Sequence, residues 1–161
     1  MRILVDIGHP AHVHLFKNAI WALEEKGHKV KITAREKDVS FKLLDAYNFD
    51  YQIRSPVYKK IVAKMFGMIK TDLKLLSIAR EFNPHVLIGV HNPYVSHVGK
   101  LLNKKVIIFT DTEHAKLASH LTFPFTDIIC TPSCFKLDLG QKHRKYDGYH
   151  ELAYLHQRYF T

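Results

Sequence analysis

The feature that most constrains the fold of this chain is the regular alternation of short apolar runs with segments of helical periodicity. The first run, RILVDI at residues 2–7, is followed by Val13, Phe16 and Ile20 at helical spacing, and Gly27 ends that segment. Apolar strands that alternate with helices are typical of a parallel sheet covered on both faces. The predicted strands are residues 2–7, 29–34, 49–54, 85–90, 105–110 and 127–131.

The predicted helices occupy the segments between these strands. Asp38 is expected to cap the second helix, and Asn83-Pro84 to end the third. The tail, residues 146–161, shows no clear period. Helices are predicted over 12–26, 38–47, 58–82 and 93–102, with short ones from about Thr112 and after Ser133. The apolar stripe of the third helix comprises Val62, Met65, Phe66, Ile69, Leu73 and Leu76.

These elements predict an α/β fold, a single Rossmann-like domain over 1–161 with a doubly wound parallel sheet in the order 3-2-1-4-5-6. That order reverses between strands 1 and 4, and ligands of such sheets bind in the crevice outside the carboxyl ends of the strands. Three loops should meet there: IGHPAH at 7–12, HNPY at 91–94 and TDTEH at 110–114. The titratable side chains therefore gather where the topology predicts a site.

The first loop predicts ligand binding at the start of the first helix. It holds only Gly8 where a dinucleotide fold needs G-x-G-x-x-G, which argues against NAD or FAD. Gly8 permits close approach of a ligand, the helix N-terminus attracts anions, and His9 and His12 add hydrogen-bond donors. A metal site would need His91 or Asp111 as a further ligand, and we expect no metal and no resident cofactor.

The other two loops supply candidates for acid–base chemistry and binding. Glu113 is the predicted base and His114 or His12 its alternate, since a carboxylate or imidazole at a strand end can be tuned for proton transfer. The alternative is helix capping by Asp111 or Thr112. Predicted substrate-binding residues in these loops are His91, Asn92, Thr110 and Asp111. His14 is predicted to be structural, packed beside Phe16 or facing solvent.

The charge balance favours anionic ligands. The formal net charge is +9 with neutral histidines, and such a field attracts phosphorylated molecules, anionic lipid or nucleic acid. Nucleic acid is not expected, because the basic residues are scattered and no RNA-binding signature occurs. Cys130 and Cys134 match no common zinc or redox spacing and are expected to be partly buried free thiols.

Two features bear on membranes. No apolar run approaches the roughly 20 residues of a membrane span, and the first residues do not resemble a signal peptide, so a cytoplasmic protein is expected. The basic, amphipathic segment VYKKIVAKMFGMIK at 57–70 could dock on an anionic membrane surface, at the inner face of the membrane. The alternative is a helix packed on the sheet.

Several motifs, in order, resemble those of one family of unassigned function. Its members open with V/I-D-I-x-x-P-x-H-V-H-x-F and continue to G-H-x-V-x-x-T-A-R-x-K-D. Here residues 5–38 read VDIGHPAHVHLFKNAIWALEEKGHKVKITAREKD, and DTEHA and YDGYHELAYLH resemble later motifs. The family is similar to GT-B glycosyltransferases and to UDP-N-acetylglucosamine 2-epimerases, which have two Rossmann-like domains facing a cleft.

The resemblance implies that this chain is the N-terminal half of a GT-B-type fold. In that arrangement the N-terminal domain holds the acceptor and the C-terminal domain holds the nucleotide-sugar donor. His9 and His12 would lie on the cleft loop, and Glu113 and His114 where relatives have acidic or polar cleft residues. Family members are about twice as long, so residues 146–161 would begin the crossover to a second domain, present in cis or as a separate subunit.

The function expected is acceptor binding for glycosyl transfer, with a small-molecule or lipid-linked sugar acceptor. The isolated chain is expected to be inactive. The alternatives are one half of a UDP-N-acetylglucosamine 2-epimerase-like enzyme, and a non-catalytic module that binds an anionic ligand or a membrane surface.

Overall fold

The computed structural model describes residues 1–36, 38–55 and 61–157, with the backbone alone at residues 38, 55 and 61–66. Seven strands form one parallel sheet in the order β3-β2-β1-β4-β5-β6-β7. The strands are β1 Arg2–Ile7, β2 Lys29–Arg35, β3 Tyr51–Ser55, β4 Val86–Val90, β5 Lys105–Phe109, β6 Ile128–Pro132 and β7 His143–Tyr146. The predicted doubly wound sheet and the order of its first six strands are confirmed.

The described residues include six α-helices, of which the first five connect strands and the sixth follows β7. They are α1 Pro10–Glu25, α2 Asp38–Ala46, α3 Ile61–Phe82, α4 Pro93–Leu101, α5 Lys116–Thr122 and α6 Leu152–Leu155. Pro10 and Pro93 occupy the first turns of their helices, where the missing N–H costs nothing. The fifth helix begins at Lys116 rather than near Thr112, and residues 133 and 134 form a turn, not the brief helix predicted after Ser133.

Alternate residues of β1 serve two cores on opposite faces of the sheet. Ile3, Val5 and Ile7 pack with residues of α1 and α2, whereas Leu4 packs with residues of α3 and α4. This alternation follows from the two-residue period of a strand, and it explains why the strand reads as a continuous apolar run. The two cores fix the helices on both faces of the central strands.

The buried face of α3 differs from the predicted apolar stripe. Leu76 is buried, but Ile69 and Leu73 are each 59% exposed. The helix instead buries Thr71, Leu75, Ile78 and Ala79, and it satisfies the Thr71 hydroxyl through the carbonyl of Gly67. Small and polar residues thus form part of the buried face of α3. The prediction from large apolar residues alone did not include them.

The side chains of Val62, Met65 and Phe66 lie outside the described residues. So do residues 57–60 of the predicted membrane segment and the side chain of Asp38. Among the helices of the described ranges, none combines the length and apolar character needed to cross a membrane.

The sheet has one strand that the sequence analysis did not predict. β7 pairs in parallel with β6, and Ile129 lies opposite His143 in the register. Its sequence, HRKY, is polar because it is an edge strand with little surface to bury. β7 leads into residues 147–155, which return to α1, where the Asn18 side-chain amide donates to the Ala153 carbonyl at 2.8 Å.

A glycine in α4 permits close contact between that helix and β5. A Cβ added at Gly99 would lie 2.1 Å from Cγ2 of Val106, which is fully buried. We expect Gly99→Ala to lower the free energy of unfolding by about 1 to 2 kcal/mol, because overpacking outweighs a gain of about 1 kcal/mol in helix propensity. Urea denaturation measures the change in the free energy of unfolding.

The double variant Gly99→Ala/Val106→Ala supplies the control. It should lose less stability than the sum of the two single variants, because the truncated Val106 side chain removes the clash. A neutral or stabilising effect of Gly99→Ala would contradict the close packing.

Candidate active site

The crevice at the carboxyl ends of β1, β4 and β5 brings the three predicted loops to the same edge of the sheet. A pocket of about 110 Å³ opens there between the start of α1 and the C-terminal segment. We call it the polar pocket. Its lining comprises Ala11, His12, Leu15, Val90, Asp111, His150, Glu151 and Tyr154. Of the residues predicted from the sequence, His12 and Asp111 therefore meet at one pocket, with Gly8 directly behind His12.

Two histidines satisfy the exposed amides of the first turn of α1. His9 is the N-cap, and its Nδ1 accepts from the Ala11 N–H at 3.3 Å. The Gly8 N–H donates to Nδ1 of His12 at 3.3 Å, and the His12 N–H donates to the His9 carbonyl at 2.9 Å. The amides at this helix N-terminus are thus occupied, so a ligand here meets imidazoles.

The electrostatic surroundings keep His12 neutral. Burial lowers its pKa to about 4, and His9 and His150 act in the same direction against the opposing effect of Asp6 and Asp111. Because Nδ1 accepts from Gly8, a neutral His12 carries its proton on Nε2. His12 is therefore a hydrogen-bond donor at neutral pH rather than a proton acceptor.

Stability should depend on pH through His12. Since the pKa is lower in the folded state, the unfolded chain binds the proton more tightly, and stability is lost as the pH falls from about 6.5 towards 4. We expect a loss of about 2 kcal/mol between pH 7 and pH 5 from this group. Urea denaturation at both pH values should show a smaller difference for His12→Gln. If His12→Gln showed the same difference in stability between the two pH values, His12 would not be the group responsible for it.

Asp111 pairs with a histidine from the C-terminal segment. Nδ1 of His150 lies 3.1 Å from Oδ2 of Asp111, so the imidazole donates to the carboxylate through Nδ1. His150 is only 9% exposed, and its ring lies parallel to that of Tyr146 with centroids 6.1 Å apart. Nε2 of His150 is buried and has no hydrogen-bond partner within the described residues. Asp111 therefore fixes the tautomer that leaves a lone pair on Nε2.

His150 also lines a second, larger cavity, which we call the apolar cavity. Its volume is about 310 Å³, and it lies between α1 and the segment that follows β7. Its lining comprises Leu15, Phe16, Ala19, Phe109, Tyr146, Asp147, Tyr149, His150, Leu152 and Ala153. Leu15 and His150 line both pockets, which are therefore neighbours.

Three further predicted residues lie beneath the crevice. His91 adopts a left-handed backbone with φ of 44°, and its ring stacks on Phe123. Its Nδ1 is 3.1 Å from the Thr110 hydroxyl and its Nε2 is 3.1 Å from the Ser119 hydroxyl. Asn92 caps α4 by accepting from the Val95 N–H at 3.3 Å. These contacts hold His91, Asn92 and Thr110 in place within the loops, and their role in binding substrate stays a prediction.

Glu113 and His114 lie on the β6 side of the crevice. Oε1 of Glu113 accepts from the backbone N–H of Lys136 at 2.6 Å and so ties the loop after β5 to the loop after β6. His114 is exposed, and its carbonyl accepts from the Lys116 N–H at 2.8 Å. Neither residue is among those that line the polar pocket with Asp111 and His150.

A buried ionic network supports the crevice from below. Oδ1 of Asp6 accepts from Nε of Arg54 at 2.6 Å and from the Thr33 hydroxyl at 2.7 Å. Asn92 donates to the other carboxylate oxygen, and the Arg54 guanidinium lies 4.8 Å from the ring centre of Tyr94. Asp6 has no exposed surface. The network links the ends of β1, β2 and β3 to the start of α4.

Comparison with known proteins identifies the family. Residues 1–160 match the family model described as "Protein of unknown function (DUF354)". The chain belongs to the DUF354 family. A relative from Methanocaldococcus jannaschii, "Uncharacterized protein MJ0665", is 28% identical over 130 residues, which are 81% of this chain and 38% of the relative.

Solved structures similar to this DUF354 chain are GT-B folds. MurG of Acinetobacter baumannii has a TM-score of 0.70 at 12% identity and is matched over 90% of this chain and 45% of its own. UDP-GlcNAc 2-epimerase of Neisseria meningitidis, bound to UDP-GlcNAc, has a TM-score of 0.66 at 10% identity, with 80% and 40% covered. The glycosyltransferase SsfS6 of Streptomyces sp. SF2575 has a TM-score of 0.65 at 14% identity, with 92% and 56% covered. The chain spans about half the length of these proteins or less.

Several site residues of this DUF354 chain were missed by the sequence analysis. Chief among them is His150, which belongs to the YDGYHELAYLH motif. It follows β7, a strand that the sequence does not predict. The His14 ring contacts the rings of Tyr47 and Tyr154, with centroids 6.1 Å and 5.4 Å away, and its structural role stays a prediction. Both cysteines are free, with Cys134 exposed and Cys130 half-buried.

A metal site was the alternative interpretation of the first loop. Over the described ranges, no three His, Cys, Asp or Glu side chains are grouped so that they could hold a metal ion.

Proposed function

We propose that this chain is the acceptor-binding part of a glycosyltransferase-like protein of GT-B type. One observation carries the proposal: the polar pocket, with His12, Asp111 and His150 on its walls, lies at the strand-order reversal, where sheets of this kind bind their ligands. The similarity to glycosyltransferase folds supports it at the level of architecture.

Ligand recognition in the polar pocket depends on side chains. His12 offers Nε2–H to an oxygen of the acceptor, either a hydroxyl or a phosphate. Because the Gly8 and Ala11 amides already donate to histidine nitrogens, the helix N-terminus contributes its positive dipole rather than free N–H groups. A Cβ at Gly8 would meet only ordinary contacts, the nearest at 3.7 Å from Cε1 of His12, so a bulkier residue there would affect the ligand more than the fold.

We assign the role of proton acceptor to His150, oriented by Asp111. Its Nε2 is unpartnered and its Nδ1 is held by a carboxylate, which is the arrangement of a histidine base. The sequence predicts Glu113 in this role, with His114 or His12 as its alternate. We favour His150 because the Glu113 carboxylate already accepts from the Lys136 amide, and because His150 lines the pocket itself.

The reaction proposed is transfer of a sugar from a nucleoside-diphosphate sugar to a hydroxyl. The acceptor hydroxyl gives its proton to Nε2 of His150 as its oxygen bonds to the anomeric carbon. The bond between that carbon and the phosphate oxygen breaks, and the nucleoside diphosphate leaves with the electron pair. A second domain, in cis or as a separate subunit, would bind the donor. The isolated chain should therefore transfer no sugar.

The partners and location proposed follow from the same arrangement. The acceptor is a small molecule or a lipid-linked sugar, and the reaction takes place in the cytoplasm. A lipid-linked acceptor would bring the protein to the inner face of the membrane, where residues 57–70 are the proposed contact. The net charge of +9 favours an anionic surface there.

The test begins with the gene. The reading frame is sequenced beyond the codon for Thr161, and the complete product is assayed with labelled UDP-N-acetylglucosamine, UDP-glucose and TDP-rhamnose in the presence of cell extract. Transfer of label to an acceptor supports the proposal. Interconversion of the sugar without an acceptor would instead identify an epimerase. Absence of both reactions with every donor would contradict an enzymatic role.

A further inference from the structure

The apolar cavity has two buried polar atoms on its lining residues that the chain leaves unsatisfied. Nε2 of His150 and the hydroxyl oxygen of Tyr146 are both buried, and neither has a hydrogen-bond partner in the part of the chain that the structure describes. Leaving such a group unpaired is costly, because it has lost its hydrogen bonds to water without gaining others. Most buried polar groups in native proteins have a hydrogen-bond partner, so two unpaired groups on the lining residues of one cavity suggest that a ligand supplies the partners.

The two atoms have complementary hydrogen-bonding requirements. In the neutral imidazole of His150, Asp111 holds the proton on Nδ1, so Nε2 is the acceptor. Burial raises the pKa of Tyr146 above its usual value, so its hydroxyl remains protonated and can donate. A ligand hydroxyl can donate to Nε2 of His150 and accept from the Tyr146 hydroxyl. An ionised carboxylate or phosphate would accept from Tyr146 but has no proton to donate to Nε2 of the neutral imidazole.

The remaining lining indicates what is attached to that hydroxyl. Most of the wall consists of apolar side chains, including Phe16, Phe109 and Leu152. Tyr149 and Leu152 on its rim are 57% and 44% exposed. The volume of about 310 Å³ falls at the lower end of the range for small-molecule sites. The cavity also neighbours the polar pocket, since Leu15 and His150 line both.

We propose that the apolar cavity binds the apolar group of an amphiphilic alcohol whose hydroxyl reaches His150, the polar part of the same molecule occupying the polar pocket. The proposal rests on the proposed function, since it names the class of acceptor for that site. An acceptor of this class presents its hydroxyl at the junction of the two pockets, beside the base.

The test uses the 161-residue chain and a series of methyl, butyl and hexyl β-D-glucopyranosides as probes. Affinity should rise with chain length, by up to about fourfold for each CH₂ buried. NMR titration measures the dissociation constants, and the resonances of Tyr146, His150 and Leu152 should shift. Equal affinities across the series, shifts confined to other residues, or no binding of the hexyl compound would overturn the proposal.

Two variants locate the binding. Ala19 is an exposed helical residue on the cavity wall, so Ala19→Phe should fill the cavity without disturbing the core and abolish the dependence on chain length. Ala19→Ser is the matched control and should retain it. His150→Asn keeps the donor to Asp111 but removes Nε2, and it should weaken all three probes. Unchanged chain-length dependence in Ala19→Phe would place the probes elsewhere and contradict the proposal.

These results separate the two proposals. If the alkyl glucosides bind as expected while the complete gene product transfers no sugar, the cavity assignment stands and the glycosyltransferase function fails. If the gene product transfers sugar but the probes do not respond to chain length, the function stands and the amphiphilic acceptor is wrong.

Discussion

Replacing Asp6 by alanine is expected to lower the free energy of unfolding by about 3 to 5 kcal/mol. The substitution leaves the guanidinium of Arg54, which is itself 5% exposed, without the carboxylate at 2.6 Å. It also removes the acceptor used by Thr33 and Asn92. A buried charge that loses its partner costs far more than the pair contributes when intact, so this single change should approach the total stability of many domains.

Urea denaturation measures the effect, and an exposed ion pair provides the control. Lys105 lies 3.3 Å from Asp127 and its side chain is 74% exposed, so Lys105→Ala should cost at most about 1 kcal/mol. The double variant Asp6→Leu/Arg54→Met removes both charges and should recover part of the loss. Similar effects of Asp6→Ala and Lys105→Ala would show that the network does not support the crevice.

Replacing His150 by asparagine is expected to lower the turnover of the complete gene product by about 100-fold or more. The side-chain amide can take the place of the Nδ1–H that donates to Asp111, but it offers no lone pair in place of Nε2. The change therefore separates the anchoring of the C-terminal segment from proton acceptance. Binding of the acceptor should change much less than turnover, because the loss arises in the chemical step.

The pH profile and two further variants decide this assignment. The acidic limb of the turnover profile should disappear in His150→Asn, and added imidazole should restore part of the rate. His120→Asn, at an exposed position of α5, serves as the matched control. If Glu113→Gln removes the limb while His150→Asn retains it, the base is Glu113, as the sequence predicts.

The central strands could be predicted from the sequence because each is buried on both faces. RILVDI and VLIGV can be recognised as strands from their continuous apolar residues alone, without a turn motif beside them or alternating polar residues within them. Connections between parallel strands are almost always right-handed, which leaves only a few possible strand orders. Strand boundaries were less accurate: the third strand begins at Tyr51 rather than residue 49. Boundaries depend on hydrogen bonds that composition does not encode.

The site was predicted in part, for a physical reason. His12 and Asp111 follow strands that can be predicted from the sequence, so the predicted topology alone brings their loops to the same edge of the sheet. His150 follows β7, whose polar residues lack any strand signal, and its contact with Asp111 depends on that strand's pairing. Asp6 was missed because a charged residue inside an apolar run gives no sign of the partners that bury it.

The position of β7 at the edge of the sheet separates the part of the chain that forms the hydrophobic cores from a part that lines the two pockets. Within the described ranges, neither hydrophobic core draws a residue from the segment 143–155. That segment nevertheless provides Tyr146, His150 and Leu152 to the pockets. Substitutions there can change the shape of the two pockets with little effect on the cores. Over evolutionary time, related chains could thus diverge in what they bind while keeping one scaffold.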